Sequence, residues 1–389
     1  MTRRRRFLSA LGSVLFALLS ICGWLALDVR PASAQDISIT QPCFNTVLPL
    51  HGQEASGSDI TGEPVLNRDG DIVAYWSTSN LSDEEAAKYD GNIEVFRQSL
   101  LSNNLPVQIS QSKGSILGGF NLGPSSNYSG THIVFYSDRD LIAEENGENG
   151  QNPDANFEIY LAVFDASGQF QQLYQITKTT KSANFNPVIS GDGRRIAFTS
   201  DDATLGQTPT RDNSDGSTEL FIADLDQNFN PTFRQVTDNI GQIFNDQPAI
   251  SGDGQYVAYV TGNSSESQVV IWNSVNDSKF QVTRTGPNIA NTQPSLNRDG
   301  SRLAYVSTRT GYSAVFLYDA ITGLDSQISI ASQNSTAGEP SISADGQRVV
   351  FTSVEEDGTR IVLWDKRLPP VCRPLRLAKA PRATMAGQR

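Results

Sequence analysis

The chain repeats one short pattern six times, and this repetition limits the possible fold more than any other feature. Each copy has a proline, a short segment that ends in Asn or Ser, a turn that closes on glycine, and an alternating apolar run. The copies are Pro64-VLNRDGDIVAYWS, Pro124-SSNYSGTHIVFYS, Pro187-VISGDGRRIAFTS, Pro248-AISGDGQYVAYVT, Pro294-SLNRDGSRLAYVS and Pro340-SISADGQRVVFTS. A unit this small cannot bury its faces alone, so we expect the copies to stack on one another.

The turn inside each copy predicts a β-hairpin. Asp-Gly between two β-rich runs is a hairpin signal, because glycine readily takes the positive φ that the turn needs. Ser129-Gly130 replaces Asp-Gly in the second copy. A third strand such as Glu158–Leu161 follows in every copy, and a fourth such as Tyr174–Ile176 follows in the first five. The pattern predicts an all-β, six-bladed β-propeller of four-stranded antiparallel blades over residues 35–368.

The pattern P-x-x-S-x-D-G-x-x-I-A-F-x-S resembles the TolB-like, WD40-like (PD40-type) β-propeller repeat. The resemblance covers almost all of residues 40–368. The proline that usually precedes Asp-Gly in that family is absent, and we find no stretch that corresponds to the separate N-terminal domain of TolB itself. The resemblance therefore implies a stand-alone relative that docks protein partners on one face. These residues stand in place of the proline: Arg68, Gly191, Gly252, Arg298 and Ala344.

Residues 1–34 have the pattern of a secretory signal peptide. Arg3–Arg6 precede an apolar run from Phe7 to about Leu27, and Ala32-Ser33-Ala34 forms a cleavage site. We predict cleavage after Ala34 and a periplasmic or extracellular location. The segment around Arg4–Leu8 also resembles a twin-arginine signal, and the apolar run is nearly long enough to span a bilayer. Twin-arginine export and an uncleaved anchor therefore remain alternatives.

Charge and cysteine content limit the partners of the exported chain. Residues 35–389 hold 25 Lys and Arg against 41 Asp and Glu, a formal charge of −16. This charge disfavours nucleic acid as a partner, and we expect a monomer that binds a protein of the cell envelope. Cys43 and Cys372 lie near the two ends, and an oxidising compartment permits a disulfide between them. Two unrelated thiols are the alternative.

The fourth strand of the last copy has two possible sources. Residues 46–50 precede Pro64 by the spacing at which fourth strands precede the next proline, so we predict that they complete the sixth blade. Leu375–Leu377 is the alternative. On the first reading, residues 369–389 are a basic, flexible tail.

Long loops are predicted on one face only. The second-to-third strand connections Ser79–Gly91, Asp138–Asn156 and Asp201–Ser217 hold 14 acidic and three basic residues, whereas the last three copies have short connections. Long loops on a rigid scaffold are common binding sites, so we predict an acidic rim that docks a cationic partner or polymer. Solvated loops without a ligand are the alternative. The predicted rim residues are Asp83, Glu84, Glu85, Asp140, Glu144, Glu145, Asp154, Asp201 and Asp202.

One loop segment also resembles a cation site. Asp212, Asp215 and Glu219 bring oxygen ligands close together around Gly216, which suits calcium, although ordinary turn chemistry explains the same residues. We predict no other cofactor.

Catalytic motifs are absent from the sequence. The only histidines are His51 and His132, and neither a G-x-S-x-G nor an H-E-x-x-H motif occurs. We therefore predict a non-catalytic, protein-binding propeller. A carbohydrate-binding or carbohydrate-active propeller is the alternative, with tryptophans that stack on sugars or a pair of carboxylates from different blades.

Overall fold

The structure is a computed structural model, and it confirms the predicted fold class. The residues that it describes form 24 strands in six four-stranded antiparallel sheets, arranged as a six-bladed β-propeller. Each sheet consists of four consecutive strands. The described residues are 61–78, 92–102, 104–112, 119–142, 152–206, 213–241, 243–333, 335–355, 358–367 and 373–375.

The first three sheets correspond to the first three copies of the repeat. Sheet 1 contains β1 (Thr61–Leu66), β2 (Ile72–Ser77), β3 (Glu94–Ser99) and β4 (Val107–Gln108). Sheet 2 contains β5 (Asn121–Ser126), β6 (His132–Ser137), β7 (Glu158–Phe164) and β8 (Phe170–Gln175). Sheet 3 contains β9 (Asn184–Ile189), β10 (Arg195–Ser200), β11 (Glu219–Leu225) and β12 (Pro231–Gln235).

The last three sheets follow in the same order. Sheet 4 contains β13 (Phe244–Ile250), β14 (Tyr256–Gly262), β15 (Ser267–Asn273) and β16 (Ser278–Gln281). Sheet 5 contains β17 (Asn291–Leu296), β18 (Arg302–Ser307), β19 (Ala314–Asp319) and β20 (Leu324–Gln327). Sheet 6 contains β21 (Ser335–Ile342), β22 (Arg348–Glu355), β23 (Gly358–Asp365) and β24 (Arg373–Leu375).

The repeat proline lies at a bulge in the first strand of every sheet. The residue before it has a φ between 50° and 63°, and the register with the second strand shifts at this point in all six sheets. Proline has no N–H to donate, so a bulge lets the strand continue without that ladder bond. The residues in this conformation are Glu63, Gly123, Asn186, Gln247, Gln293 and Glu339.

The glycine turns form as the sequence predicts. Gly70 has a φ of 72°, and its N–H donates to the carbonyl of Asn67 over 3.2 Å. The Asn67 side-chain oxygen accepts the backbone N–H groups of Asp71 and Ile72, each over 3.0 Å. Ser190 takes the same role in sheet 3, where its hydroxyl accepts the N–H of Arg195 over 3.0 Å. The side chain before each turn therefore holds the hairpin closed.

Apolar side chains on both faces of the second strands form the core. Residues of sheets 1, 2 and 3 share one buried cluster, and separate clusters join sheets 3 and 4, 4 and 5, and 5 and 6. Cross-strand ring pairs within a sheet, such as Phe135 on Tyr160 and Phe198 on Phe221, have centroids 5.8 Å apart and belong to the buried cluster of sheets 1 to 3. The continuous apolar runs of the sequence therefore mark strands that are buried on both sides.

A buried glutamate joins neighbouring sheets at each of the first three junctions. The Oε2 of Glu158 at the start of β7 accepts the side-chain amide of Asn184 in β9 over 3.1 Å, and its Oε1 accepts the N–H of Thr179 over 2.6 Å. Glu94 bonds Asn121 over 3.2 Å, and Glu219 bonds Asn245 over 2.9 Å. Burial raises the pKa of Glu158 and of Glu219, despite the hydrogen bonds that each carboxylate accepts.

The fourth strand of sheet 6 comes from the C-terminal side, which corrects our prediction. β24 pairs antiparallel with β23, with Leu375 opposite Ile361, so a segment of the C-terminal side forms this edge. β24 begins two residues before the alternative segment Leu375–Leu377 and overlaps it at Leu375. Its connection from β23 is short, and an edge strand tolerates Pro374 because one side of its backbone needs no donor. Residues 46–50 themselves lie outside the described residues.

The junction between sheets 6 and 1 differs from the other five. Val350 is 40% exposed and Ile361 is 46% exposed, whereas Ala304 and Val315 at the matching positions of sheet 5 are fully buried. Leu66 of sheet 1 is 56% exposed. Among the residues that the structure describes, sheets 6 and 1 thus lack the buried apolar packing that joins the other neighbouring sheets.

Candidate functional site

The strand order creates two different faces. The 1–2 hairpins of all six sheets lie on one end, called here the hairpin face, and the connections between second and third strands lie on the opposite end, called here the loop face. On the loop face the connections of sheets 1 to 3 are long and those of sheets 4 to 6 are short. The connections are residues 78–93, 138–157, 201–218, 263–266, 308–313 and 356–357.

The described acids of the predicted rim hold the loops together. Asp140 accepts the N–H of Asn152 over 3.1 Å, Asp154 accepts that of Lys181 over 2.6 Å, and Asp201 accepts that of Ala183 over 2.7 Å. These carboxylates therefore bond backbone groups rather than one another. Five predicted rim acids lie outside the described residues: Asp83, Glu84, Glu85, Glu144 and Glu145.

Asp202 is buried rather than part of an exposed rim. Its carboxylate accepts the N–H and the hydroxyl of Thr204, each over 2.6 Å, and the N–H of Leu205 over 2.9 Å. Burial alone would raise the pKa of Asp202, but these hydrogen bonds hold that pKa below its usual value. The structure thus gives Asp202 a structural role in its loop.

The predicted calcium segment is a hydrogen-bonded turn in its described part. The Oε1 of Glu219 accepts the hydroxyl of Ser217 over 2.9 Å and the N–H of Asn239 over 2.7 Å, and its Oε2 bonds Asn245. Asp215 accepts N–H groups of Ser217 and Gly241, each over 3.1 Å. Within the described residues, no group of three or more His, Cys, Asp or Glu could hold a metal ion. Asp212 lies outside them, so calcium remains an untested prediction.

The same turn occurs in sheets 2 and 3. The side-chain amide of Asn152 donates to the carbonyl of Asn156 over 2.8 Å, and that of Asn213 donates to the carbonyl of Ser217 over 2.9 Å. An aspartate two residues after each asparagine accepts a backbone N–H from the segment after the fourth strand of the same sheet. Asp154 accepts that of Lys181, and Asp215 accepts that of Gly241. The two acidic segments are therefore copies of one loop structure on the loop face.

The three tryptophans of the described residues, Trp76, Trp272 and Trp364, do not offer a sugar-stacking surface. Trp76 and Trp272 are buried, and the Nε1–H of Trp272 donates to Asp277 over 2.8 Å. Arg234 covers the Trp272 ring at 4.4 Å, and Trp364 packs against the core between sheets 5 and 6. Their role is in packing.

The side chain of His132 also contacts neighbouring residues of the fold. Its Nδ1 lies 3.0 Å from the Asn127 amide nitrogen, and its ring lies 5.3 Å from that of Phe229. Burial lowers the pKa of His132, and the charge of Arg194 lowers it further. His51, Cys43 and Cys372 lie outside the described residues, so the predicted disulfide remains untested.

The centre of the hairpin face contains an arrangement that our sequence reasoning missed. Backbone hydrogen bonds connect the hairpins in order: Arg68 N–H to Tyr128 O over 3.2 Å, Tyr128 N–H to Gly191 O over 3.0 Å, and Gly191 N–H to Gly252 O over 2.9 Å. The N–H of Asp253 then donates to Arg298 O over 3.0 Å, and that of Arg298 to Ala344 O over 3.2 Å. In each copy, one residue stands directly before the Asp-Gly or Ser-Gly of the turn, and these six residues form the hub of the propeller. They are Arg68, Tyr128, Gly191, Gly252, Arg298 and Ala344.

Tyr128 closes the middle of this hub. Its ring lies against Gly191 and Gly252, in the space where their β-carbons would stand. The guanidinium carbon of Arg68 lies 5.5 Å from the ring centroid and that of Arg298 lies 5.9 Å from it. One side chain from sheet 2 therefore contacts hairpins of sheets 1, 3, 4 and 5. The sequence held a signal for this, because Tyr128 is the only aromatic residue at this repeat position and two glycines share the position.

Solved structures support the class of fold. No protein-family model and no curated protein matches the chain. Prolyl oligopeptidase B from Galerina marginata is similar with 12% identity and a TM-score of 0.56, over 86% of this chain and 44% of that one. The β-propeller domain of the trilobed protease from Pyrococcus furiosus, described as having an open velcro topology, is similar with 10% identity and a TM-score of 0.52, over 82% and 85%.

A TolB protein is also among the similar structures. TolB from Acinetobacter baumannii has 18% identity and a TM-score of 0.47, over 77% of this chain and 62% of that one. The chain spans less than half of the Galerina peptidase. At these identities the likeness concerns the fold, which places the chain in the class of six-bladed β-propeller proteins. Within the described residues, no helix is long and apolar enough to cross a membrane.

Proposed function

We propose that the chain is an exported, non-catalytic propeller that binds a protein partner through its loop face. The observation that carries this proposal is the asymmetry of that face, where long connections stand over sheets 1 to 3 and short ones over sheets 4 to 6. Binding residues are commonly found on long loops that a rigid scaffold positions. The signal-peptide pattern of residues 1–34 supports export.

The internal bonding of the loops favours binding over disorder. The described turns of sheets 2 and 3 are fixed by the amides of Asn152 and Asn213 and by Asp154 and Asp215. Their tips, Pro153–Ala155 and Ser214–Gly216, remain exposed. A loop that is already ordered loses little conformational entropy when it binds, so these tips suit a preformed contact surface.

Site-specific photocrosslinking tests this proposal. A photoreactive amino acid at Pro153 or Ser214 reports on the loop face, and the same amino acid at exposed Gln255 reports on the hairpin face as the control. We expect both loop-face positions, but not position 255, to crosslink the same protein in an envelope extract of the source organism. Crosslinks from position 255 alone would contradict the proposal. Retention on a polysaccharide column without any protein crosslink would favour the carbohydrate-binding alternative.

A further inference from the structure

We propose that the hub of the hairpin face binds a carboxylate group, which the guanidinium groups of Arg68 and Arg298 hold above Tyr128. This site lies on the face opposite to the long loops, so it is independent of the function proposed above. The inference starts from two cations that have no anionic partner. Three observations carry it: the pairing of the arginines, the geometry of the hub and the charge around it.

Arg68 and Arg298, which lie in hairpin turns, lack the carboxylate partner that several arginines of the strands and loops have. Arg195 bonds Asp224 over 2.6 Å, Arg302 bonds Asp319 over 3.2 Å, and Arg309 bonds Asp325 over 2.6 Å. By contrast, the guanidinium groups of Arg68 and Arg298 make no hydrogen bond or ion pair to any described residue, and their contact is with the Tyr128 ring. Two unpaired guanidinium groups therefore meet on one aromatic side chain.

The Tyr128 ring limits the movement of both guanidinium groups. An arginine that lies over an aromatic face gains cation–π attraction, and its five N–H donors remain at the edge of the guanidinium plane. That edge matches the two oxygens of a carboxylate. Both guanidinium carbons lie within 6 Å of the same ring centroid, and the proposed ligand bonds both groups.

Ala344 adds a third donor next to Arg298. It belongs to sheet 6, and Arg298 belongs to the neighbouring sheet 5. Its carbonyl accepts the N–H of Arg298, but its own N–H has no acceptor among the described residues. The methyl side chain of Ala344 leaves this part of the hub open to solvent. An oxygen anion here would satisfy a backbone donor as well as the charged side chain of Arg298.

Neighbouring aspartates favour a singly charged ligand. Asp253 and Asp299 lie close enough to Tyr128 for their charges to raise its pKa, which burial raises most. Their carboxylates accept N–H groups of their own turns, from Gln255 over 3.0 Å and from Ser301 over 3.0 Å. Two arginines beside these aspartates attract a monoanion more readily than a doubly charged phosphate, which the aspartates repel more strongly.

Titration of the full chain, labelled with ¹⁵N-arginine, tests the site. The probes are N-acetyl-Gly-Ala with a free C-terminal carboxylate, its C-terminal amide, N-acetyl-Asp-amide and inorganic phosphate. We expect saturable shifts of the Arg68 and Arg298 Nε–H signals with the free acid and no shift with the amide. An equal response to N-acetyl-Asp-amide would support the site and assign its ligand to any exposed carboxylate; its absence would assign the ligand to a C-terminus.

Charge-matched variants separate this site from general attraction. R68Q and R298Q should each weaken binding of the free acid about tenfold, the effect of losing one hydrogen bond between charged groups. R284Q removes an exposed arginine from the loop face and should leave binding unchanged. An equal loss in R284Q, the absence of saturable shifts with either carboxylate, or tighter binding of phosphate than of the free acid would overturn the proposal.

Discussion

The phenol of Tyr128 occupies the space in which a β-carbon on Gly252 would lie. The two residues stand at the same repeat position in sheets 2 and 4, and their contact crosses the hub of the propeller. Gly252 does not have a positive φ. Glycine is therefore required at position 252 by the neighbouring Tyr128 ring and not by the backbone conformation. One aromatic side chain thus accounts for glycine at a distant repeat position.

Gly252→Ala should lower the free energy of unfolding by about 1–3 kcal/mol, because the added methyl overpacks the hub. Tyr128→Ala in the same chain should recover much of this loss, since it vacates the space. Urea denaturation of the single and double variants measures the coupling. Gly286→Ala is the control, because a β-carbon there would meet nothing within 4 Å. Equal destabilisation with and without Tyr128 would contradict the packing described.

Glu158→Gln should flatten the dependence of stability on pH. Burial raises the pKa of Glu158 above its usual 4.5, so the folded chain keeps the proton to a higher pH than the unfolded chain. Stability from this group is full below pH 4.5 and is lost as the pH rises through the folded-state pKa. Denaturation midpoints from pH 4 to pH 8 should therefore fall less steeply with rising pH in the variant.

Asp345→Asn provides a contrast of opposite sign to Glu158→Gln. Hydrogen bonds from Ser343 and Gln347 lower the pKa of the Asp345 carboxyl. Its contribution to stability is present above pH 3.8 and is lost as the pH falls through the folded-state pKa. The two variants should change the pH profile in opposite directions, and parallel profiles would contradict both assignments.

His132→Gln should reduce the loss of stability at acidic pH. Burial lowers the pKa of His132 below 6.5, so the unfolded chain takes up a proton before the folded chain does. Stability is therefore full above pH 6.5 and declines as the pH falls through the folded-state pKa. A ¹H NMR titration of the two histidines, with H132Q to assign the signals, should give His132 a pKa below 6.5. A value above 6.5 would contradict the buried environment.

Val349→Ala and Val350→Ala should differ in cost although the residues are adjacent. Val349 is fully buried against sheet 5, whereas Val350 on the opposite side of β22 is 40% exposed. We expect Val349→Ala to lower the free energy of unfolding by about 2 kcal/mol and Val350→Ala by less than about 1 kcal/mol. Chemical denaturation measures both. Equal losses would mean that a surface covers the outer side of sheet 6 in solution.

The repeat alone predicted much of the fold because its signals are local. Proline, the Asp-Gly turn and the apolar run recur at fixed offsets, so each sheet can be inferred from its own residues. The bulge at Glu63 and its counterparts accompanies the same proline. The sixth sheet's last strand, Arg373–Leu375, also follows its neighbour in the chain, but this short segment carries a proline and no apolar run. The choice between residues 46–50 and the C-terminal segment was therefore made on spacing, and it was wrong.

The functional features could be predicted less well because they depend on residues far apart in the chain. Tyr128 and its neighbours Gly191 and Arg298 come from different sheets, and only the hub brings them together. The reverse error occurred with two acids: Asp202 was predicted on an exposed binding rim, and Glu219 was predicted as a calcium ligand. Both are buried and hydrogen-bonded, because each side chain organises a loop or a junction between sheets.

Among the described residues, each sheet is built from four strands that follow one another directly in the chain. A single tandem duplication or deletion within the gene could therefore add or remove a complete blade without leaving a partial sheet behind. Copy number in such a lineage can change in one genetic step, and selection then acts on whether the remaining blades still meet around the axis.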